Sequence, residues 1–318
     1  MSTTTPASTV LTTGDRAAPG PAHHRAEVQR DPARGTWWFL RAYPGSSAAL
    51  DAAVAAIVPW ARAQAVGLAA SRWFFIRYVD ESGPHVRLRV RLDPDAADVL
   101  HSRRGEVDEL LAGIAPGSAP ADGGPLVRPR SEAEHRPGPR GSRAGLYAPE
   151  HAKYGGAAGV RLAEHVFHDA SELILDTGAC RLPRRYDRAA LAAELARQLL
   201  DATVRADQQH LFWEQHWRWW GSHLAFCDIE SPDAARAEVT AGLTRTAVAA
   251  DVHARIAAHV RTAVRHLAAA QRVPDSPATS TLVFHHLHMS MNRLGLHPPD
   301  EALVGAAVAA AALRKENR

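Results

Sequence analysis

The sequence predicts an α+β fold, with antiparallel strands in the N-terminal half packed with a helix-rich C-terminal half. Three observations predict it. Trp73–Val79 and His85–Leu92 are runs of aromatic and β-branched residues on either side of Asp80-Glu81-Ser82-Gly83-Pro84, the pattern of a hairpin spanning 73–92. Beyond Asp187 the apolar residues recur mostly at helical spacing. Strand-like and helix-like segments are segregated along the chain, which argues against an alternating parallel sheet.

The elements follow in order. Residues 1–34 are Ser, Thr, Pro, Gly and Ala with scattered charges and no apolar period, the composition of a disordered tail. Residues 35–318 then read as a single domain. Trp37–Tyr43 reads as a strand, and Ser47 as the N-cap of a helix from about 48 to 66. A helix is expected over 95–113. The Pro-, Gly- and Arg-rich stretch 114–145 reads as a long mobile loop, a feature that is often functional. Helices are expected over 160–175, 188–206, 208–226, 231–246, 248–271, 279–294 and 300–315.

Composition narrows the function classes. Of the 37 basic residues all but Lys153 and Lys315 are arginine, and with 34 acidic residues the formal charge is only +3. A charge so small over 318 residues is not the footprint of a general nucleic-acid binder. Cys180 and Cys227 are too few for a disulfide scaffold or a four-cysteine zinc site, and they suit a reducing cytoplasm. No apolar run reaches membrane-spanning length and the N-terminus lacks a signal-peptide pattern, so a cytoplasmic location away from membranes is expected.

Several segments could carry chemistry. Along the second hairpin strand Val86, Leu88, Val90 and Leu92 point one way, and His85, Arg87, Arg89 and Arg91 the other. Three guanidiniums and an imidazole in one row repel one another unless anions or carbonyl oxygens answer them, which suits a carboxylate, a phosphate or a bound peptide backbone. A solvated face of an Arg-rich protein is the plainer alternative. Tyr147-Ala148-Pro149-Glu150-His151-Ala152-Lys153-Tyr154-Gly155-Gly156 combines an irregular backbone with two phenols and a rare lysine. His285, His288 and Asn292, spaced i, i+3, i+7, share a helix face. Without an acidic third ligand at a known spacing they favour a proton-shuttling histidine over a metal. His165 and His168, with Glu164 and Glu172, read as an amphipathic face. Trp213, Trp217 and Trp220 form one stripe, either core or the wall of a groove suited to flat heteroaromatic rings. No phosphate-binding glycine loop or nucleophile-elbow serine is present, and no cofactor is expected.

Together these segments resemble the lantibiotic dehydratase C-terminal family, also called the thiopeptide-type bacteriocin biosynthesis domain. The first block is Trp73-Phe74-Phe75-Ile76-Arg77-Tyr78 with Gly83-Pro84-His85-Val86-Arg87-Leu88-Arg89. The second is Tyr147, Pro149, Glu150 and Lys153-Tyr154-Gly155-Gly156, then Glu164 and Phe167. The third is His288-Met289 and Asn292-Arg293-Leu294-Gly295. The resemblance implies a catalytic domain acting on a modified precursor peptide with a leader and a dehydroalanine-containing core, alone, as a homodimer or with other maturation enzymes.

Two activities are implied for the family. One eliminates glutamate from glutamylated Ser/Thr to leave dehydroalanine or dehydrobutyrine. The other is the thiopeptide pyridine synthase reaction, a formal four-plus-two cycloaddition of two dehydroalanines, with loss of water and of the leader peptide, that closes a pyridine-centred macrocycle. A chain without the large glutamylation domain is compatible with a pyridine synthase or a split eliminase. Eliminases commonly carry arginine before Tyr-Gly-Gly, and Lys153 keeps the charge but not the bidentate fork, which favours the synthase. A non-catalytic leader-binding subunit is the third expectation. On this resemblance His288 is the acid/base residue, Tyr147 or Tyr154 donates to an amide oxygen, and Arg87 and Arg89 hold carbonyls or developing charge. His85, Arg91, Lys153, Asn292 and Trp217 then bind substrate.

Overall fold

Strand β1 (Thr36–Pro44) is the hub of a four-stranded antiparallel sheet: β3 (Gly83–Leu92) pairs on one side, β4 (Arg140–Ala144) on the other, and β2 (Arg72–Asp80) closes the far side of β3. The computed structural model describes residues 35–115, 124–130, 138–182 and 184–316. The expected disordered tail, 1–34, lies outside the described residues.

The hairpin forms where the alternation places it. Leu88 lies opposite both Leu40 and Phe75, and Val90 opposite Trp38 and Trp73. These side chains share one face and are almost fully buried. Helix α1 (Leu50–Gly67) packs against β2 and β3, burying Val54, Ile57 and Val58. Its expected cap is displaced: Ser46 Oγ accepts from Ala49 N at 3.3 Å, while Ser47 contributes only its carbonyl to Leu50 N.

The helix expected over 95–113 is two helices, α2 (Pro94–Ser102) and α3 (Arg104–Ala112). Asp93 caps the first through Asp95 N, with Pro94 in the opening turn. The break falls at Arg103, two residues before Gly105, a poor helix former in the first turn of α3.

The loop expected over 114–145 is in part structure. Arg140–Ala144 pairs with β1 as β4, although Arg-Gly-Ser-Arg-Ala shows no apolar alternation. Leu126 and Val127 are buried, and both their N–H groups donate to Asp300 Oδ1. Residues 116–123 and 131–137 lie outside the described residues.

The rest is helical: α4 (His151–Tyr154), α5 (Gly156–Asp176), α6 (Arg185–Thr203), α7 (Ala206–Trp220), α8 (Pro232–Thr244), α9 (Ala250–Ala270), α10 (Thr279–Leu294) and α11 (Pro298–Glu316). The helix expected over 208–226 ends at Trp220 and tightens into a 3-10 turn, Gly221–Phe226. Helices α5 and α10 seal the outer edge of β2. Trp73 N meets His168 Nδ1 at 3.4 Å, Phe75 N donates to Ser171 Oγ at 3.3 Å, and Arg77 N donates to Asn292 Oδ1 at 2.9 Å. Side chains thus do for this edge what another strand would do.

The turn from α4 into α5 needs its glycines. Gly155 and Gly156 have φ of +78° and +77°, the left-handed region that other residues enter only with strain. At Gly159 an added methyl would overlap the carbonyl of Tyr154. Gly159→Ala is therefore expected to displace Tyr154 and to cost about 1–3 kcal/mol, the usual range for overpacking. Urea unfolding at neutral pH measures it.

Candidate active site

The second face of the sheet carries the predicted basic row. Phe39 and Phe74 lie opposite Arg89, and Arg41 and Ile76 lie opposite Arg87. This face is not uniformly solvated. Arg89 is buried, with its guanidinium carbon 4.8 Å from the Tyr147 ring centroid and 5.2 Å from those of Phe39 and Phe74. Burial pushes its pKa down to about 10, against the attraction of Tyr147, Glu150 and Glu164.

A second guanidinium lies deeper. Arg293, on α10, has no exposed surface. Its Nε donates to Ser171 Oγ at 3.2 Å and Nη1 to the Met289 carbonyl at 2.7 Å, and its guanidinium carbon stands 5.2 Å from the Phe167 ring centroid. Burial lowers its pKa to about 9. Among the described residues neither arginine has an ion-pair partner, and Arg89 Nε and Arg293 Nη2 are buried without a hydrogen bond. A buried, unpaired N–H is costly and rare. Two on adjacent arginines suit an anion, a carbonyl oxygen or charge that develops during a reaction.

The phenols join this group. Tyr147 packs edge-on against Trp37 and Phe74, at 5.1 and 6.0 Å, and is drawn to Glu164. Tyr154 is buried between Phe167, His285 and His286. Burial raises both phenols' pKa values above the ordinary one, so each remains a neutral donor at any physiological pH. Glu164 is buried, bonded by Arg72 at 3.3 Å, and pushed up by burial.

His288 faces another neighbour. Its Nδ1 lies 3.0 Å from each carboxylate oxygen of Glu301, at the start of α11, and its ring stacks on Trp220 at 4.5 Å. Glu301 has no exposed surface, and burial raises its pKa to about 7 despite His288. When Glu301 is ionised the contact calls for the proton on Nδ1 and leaves Nε2 as the acceptor, with no partner among the described residues. His285 lies between this pair and Tyr154, and its pKa is lowered first by burial, then by Lys153 and His288.

Other predicted residues are placed differently. His85 is fully buried, bonded through Nδ1 to the Gly83 carbonyl and through Nε2 by Arg87 Nε, so both ring nitrogens are engaged inside the fold and the ring supports Arg87. Asn292 spends both ends of its amide on the Arg77 backbone. Lys153 is exposed and pairs with Glu150 at 2.5 Å. Arg91 sits at the far end of β3, opposite Trp37 and Arg72. Trp217 lines a groove of about 720 Å³ between α7 and α11; Trp220, not Trp217, meets His288. His168 and Glu172 serve Trp73, and His165 stacks on His266. Among the described residues no group of three His, Cys, Asp or Glu could hold a metal ion. No helix of the described residues is long and apolar enough to cross a membrane.

Sequence reasoning did not assign roles to Glu164, Arg293 or Glu301. Glu164 and Arg293 stood within the motif blocks, where an ionisable residue on an otherwise apolar helix face was the available signal. Glu301 left none, because it meets His288 only through the turn from α10 to α11.

Comparison with known proteins gives the family and the fold. The description of the lantibiotic biosynthesis dehydratase C-terminal family matches residues 37–313, and the chain belongs to that family. Among solved structures it is similar to the tRNA-dependent lantibiotic dehydratase MibB from Microbispora sp. 107891, at 22% identity over 92% of this chain, with a TM-score of 0.52. It spans only 29% of the MibB chain. It is also similar to the pyridine synthase TbtD from thiomuracin biosynthesis, at 20% identity over 87% of this chain and 98% of that one, with a TM-score of 0.54. No curated protein sequence matches it.

Proposed function

We propose that the chain is a thiopeptide pyridine synthase. The observation that carries the proposal is the pairing of Lys153 with Glu150 on the exposed rim. A glutamyl-eliminating site calls for a forked cation at that position, and here a single ammonium is already answered by a neighbouring carboxylate.

The reaction needs one amide of the substrate peptide in its imidic-acid form, so that a dehydroalanine becomes a 2-azadiene facing the second dehydroalanine. A neutral phenol, Tyr147 or Tyr154, donates a proton to the amide oxygen and regains one from a ring carbon as the ring aromatises. His288 takes the amide N–H proton and later returns one to the departing hydroxyl or leader amide. Arg89 and Arg293 stabilise charge as it develops. Holding diene and dienophile in contact supplies up to roughly 7–11 kcal/mol. Water and the leader amide then leave as the ring aromatises. The groups present fit cofactor-independent acid/base chemistry.

A second reading, glutamate elimination from glutamylated Ser/Thr, is favoured by buried Arg89, whose unpaired Nε suits a glutamyl carboxylate. Incubation with a peptide bearing a leader and two dehydroalanines, followed by mass spectrometry, separates the two. Loss of water and release of the leader as an amide, with a cyclic product, is the expected result. Release of free glutamate from a glutamylated linear peptide, with the bis-dehydroalanine peptide unchanged, overturns it.

Ionised Glu301 is the form that holds His288 in the required tautomer. With Glu301 raised to about 7, its ionised fraction grows through neutrality, so turnover should rise as pH passes from 6 to 8. Single-turnover rates across that range check it, and Glu301→Gln should remove this limb of the profile.

A further inference from the structure

Beyond the buried arginines, the same sheet face carries three cations in a single row across three strands. Arg41 on β1 lies directly opposite Arg87 on β3 and directly opposite Arg143 on β4. Like charges placed opposite each other across antiparallel pairs repel. The carboxylate bonded within the row is Asp80, 3.5 Å from Arg41 and already engaged by the Tyr43 hydroxyl and Ser82 N. Among the described residues Arg143 reaches only Ser82 Oγ and the Tyr43 ring, and Arg87 lies on the Tyr78 ring. Arg41 Nε is buried without a hydrogen bond among the described residues. Side chains of the row are part-exposed at Arg41 and Arg87 and exposed at Arg143.

The row leads into the candidate site. The Phe39 ring lies between the guanidiniums of Arg41 and Arg89, at 5.8 and 5.2 Å. Alternate residues of one strand stand about 7 Å apart, so an extended peptide reaching from Arg89 to the row crosses roughly two to four of its own residues.

From this geometry we propose that Arg41, Arg87 and Arg143 form an anchor for an acidic segment of the peptide substrate, two to four residues from the reacting position. The inference rests on a peptide being the substrate, as in the function proposed above. A nucleic acid is the poorer occupant, because three cations in one row of a chain whose net charge is +3 do not make the extended field that phosphates require.

The test is equilibrium binding of two fluorescein-labelled twelve-residue peptides by anisotropy, one with a Glu-Asp-Glu segment and its isostere with Gln-Asn-Gln. The wild type should bind the acidic probe at least tenfold tighter, with the preference shrinking as salt is raised. In Arg143→Gln, at an exposed position, and in Arg41→Gln the preference should fall to threefold or less, with circular dichroism unchanged. Equal binding of the two probes by the wild type, or a preference unaffected in both variants, overturns the anchor. So does displacement of the acidic probe by polyuridylate at equal charge concentration. The readout needs no turnover. If the preference holds and the bis-dehydroalanine peptide is not cyclised, the anchor stands and the proposed reaction falls; cyclisation without the preference gives the reverse.

Discussion

His288→Ala should lower single-turnover cyclisation by about 10²–10⁴-fold, the usual contribution of a positioned acid/base group, while leaving peptide affinity near that of the wild type. The geometry separates the two effects. Nδ1 is committed to Glu301, and the imidazole lies flat on Trp220, so the ring is fixed in plane and tautomer. What the substitution deletes is proton transfer at Nε2. Thermal unfolding of the variant controls for the lost stacking on Trp220. Turnover within about threefold of wild type, with substrate saturating, would show that His288 is not the proton shuttle and would direct attention to His285, whose ring lies 6.0 Å from that of Tyr154.

Asp51→Asn is expected to cost about 3–5 kcal/mol of folding stability, the range for breaking a buried ion pair from one side. Asp51, on α1, accepts from Arg77 Nη1 on β2 at 2.5 Å and from Arg188 Nη1 on α6 at 2.7 Å, and both guanidiniums are more than nine-tenths buried. Arg77 also donates from Nε to the Arg293 carbonyl in the last turn of α10. The carboxylate therefore joins α1 to β2 and α6, with α10 reached through Arg77, and leaves two buried cations unanswered when it is lost.

The pH dependence has a definite sign. Burial acts to raise the Asp51 pKa, but Arg77 and Arg188 together outweigh it and hold it near 2. The folded value lies below the unfolded one, so the stabilisation is complete above about pH 4. It is lost as pH falls toward 2, and is of the order of 2 kcal/mol. Urea midpoints at pH 7, 4 and 2.5 for wild type and variant test both statements. A variant unfolding at the wild-type midpoint at pH 7 would remove the triad from the account of stability.

Parts of this architecture are legible in one dimension. The alternation of Val86, Leu88, Val90 and Leu92 specifies which face of β3 enters the core, because a one-residue slip would expose all four. The helix at 279–294 was legible to the residue, ending at Gly295 with its φ of +83°. Strand β4 was hidden, since its pairing is supplied by the open edge of β1 and not by its own side chains. In one dimension Asn292 and His85 are polar residues on a motif, which carries no sign of whether a ligand or the fold itself satisfies them. Their hydrogen bonds to the Arg77 backbone, Gly83 and Arg87 show polar groups satisfied inside the fold.

The sequence by itself determined the fold class, the hairpin, most helix spans and the motif blocks that mark the family, because these rest on local periodicity and short spacings. The tertiary structure decided which of the many arginines matter. Arg89 and Arg293 come from a strand and a helix about two hundred residues apart, and only packing strips both of water and of counter-ions. Packing also brings Glu301 to His288. Burial and pairing depend on neighbours distant in the chain, and a linear pattern carries no record of them.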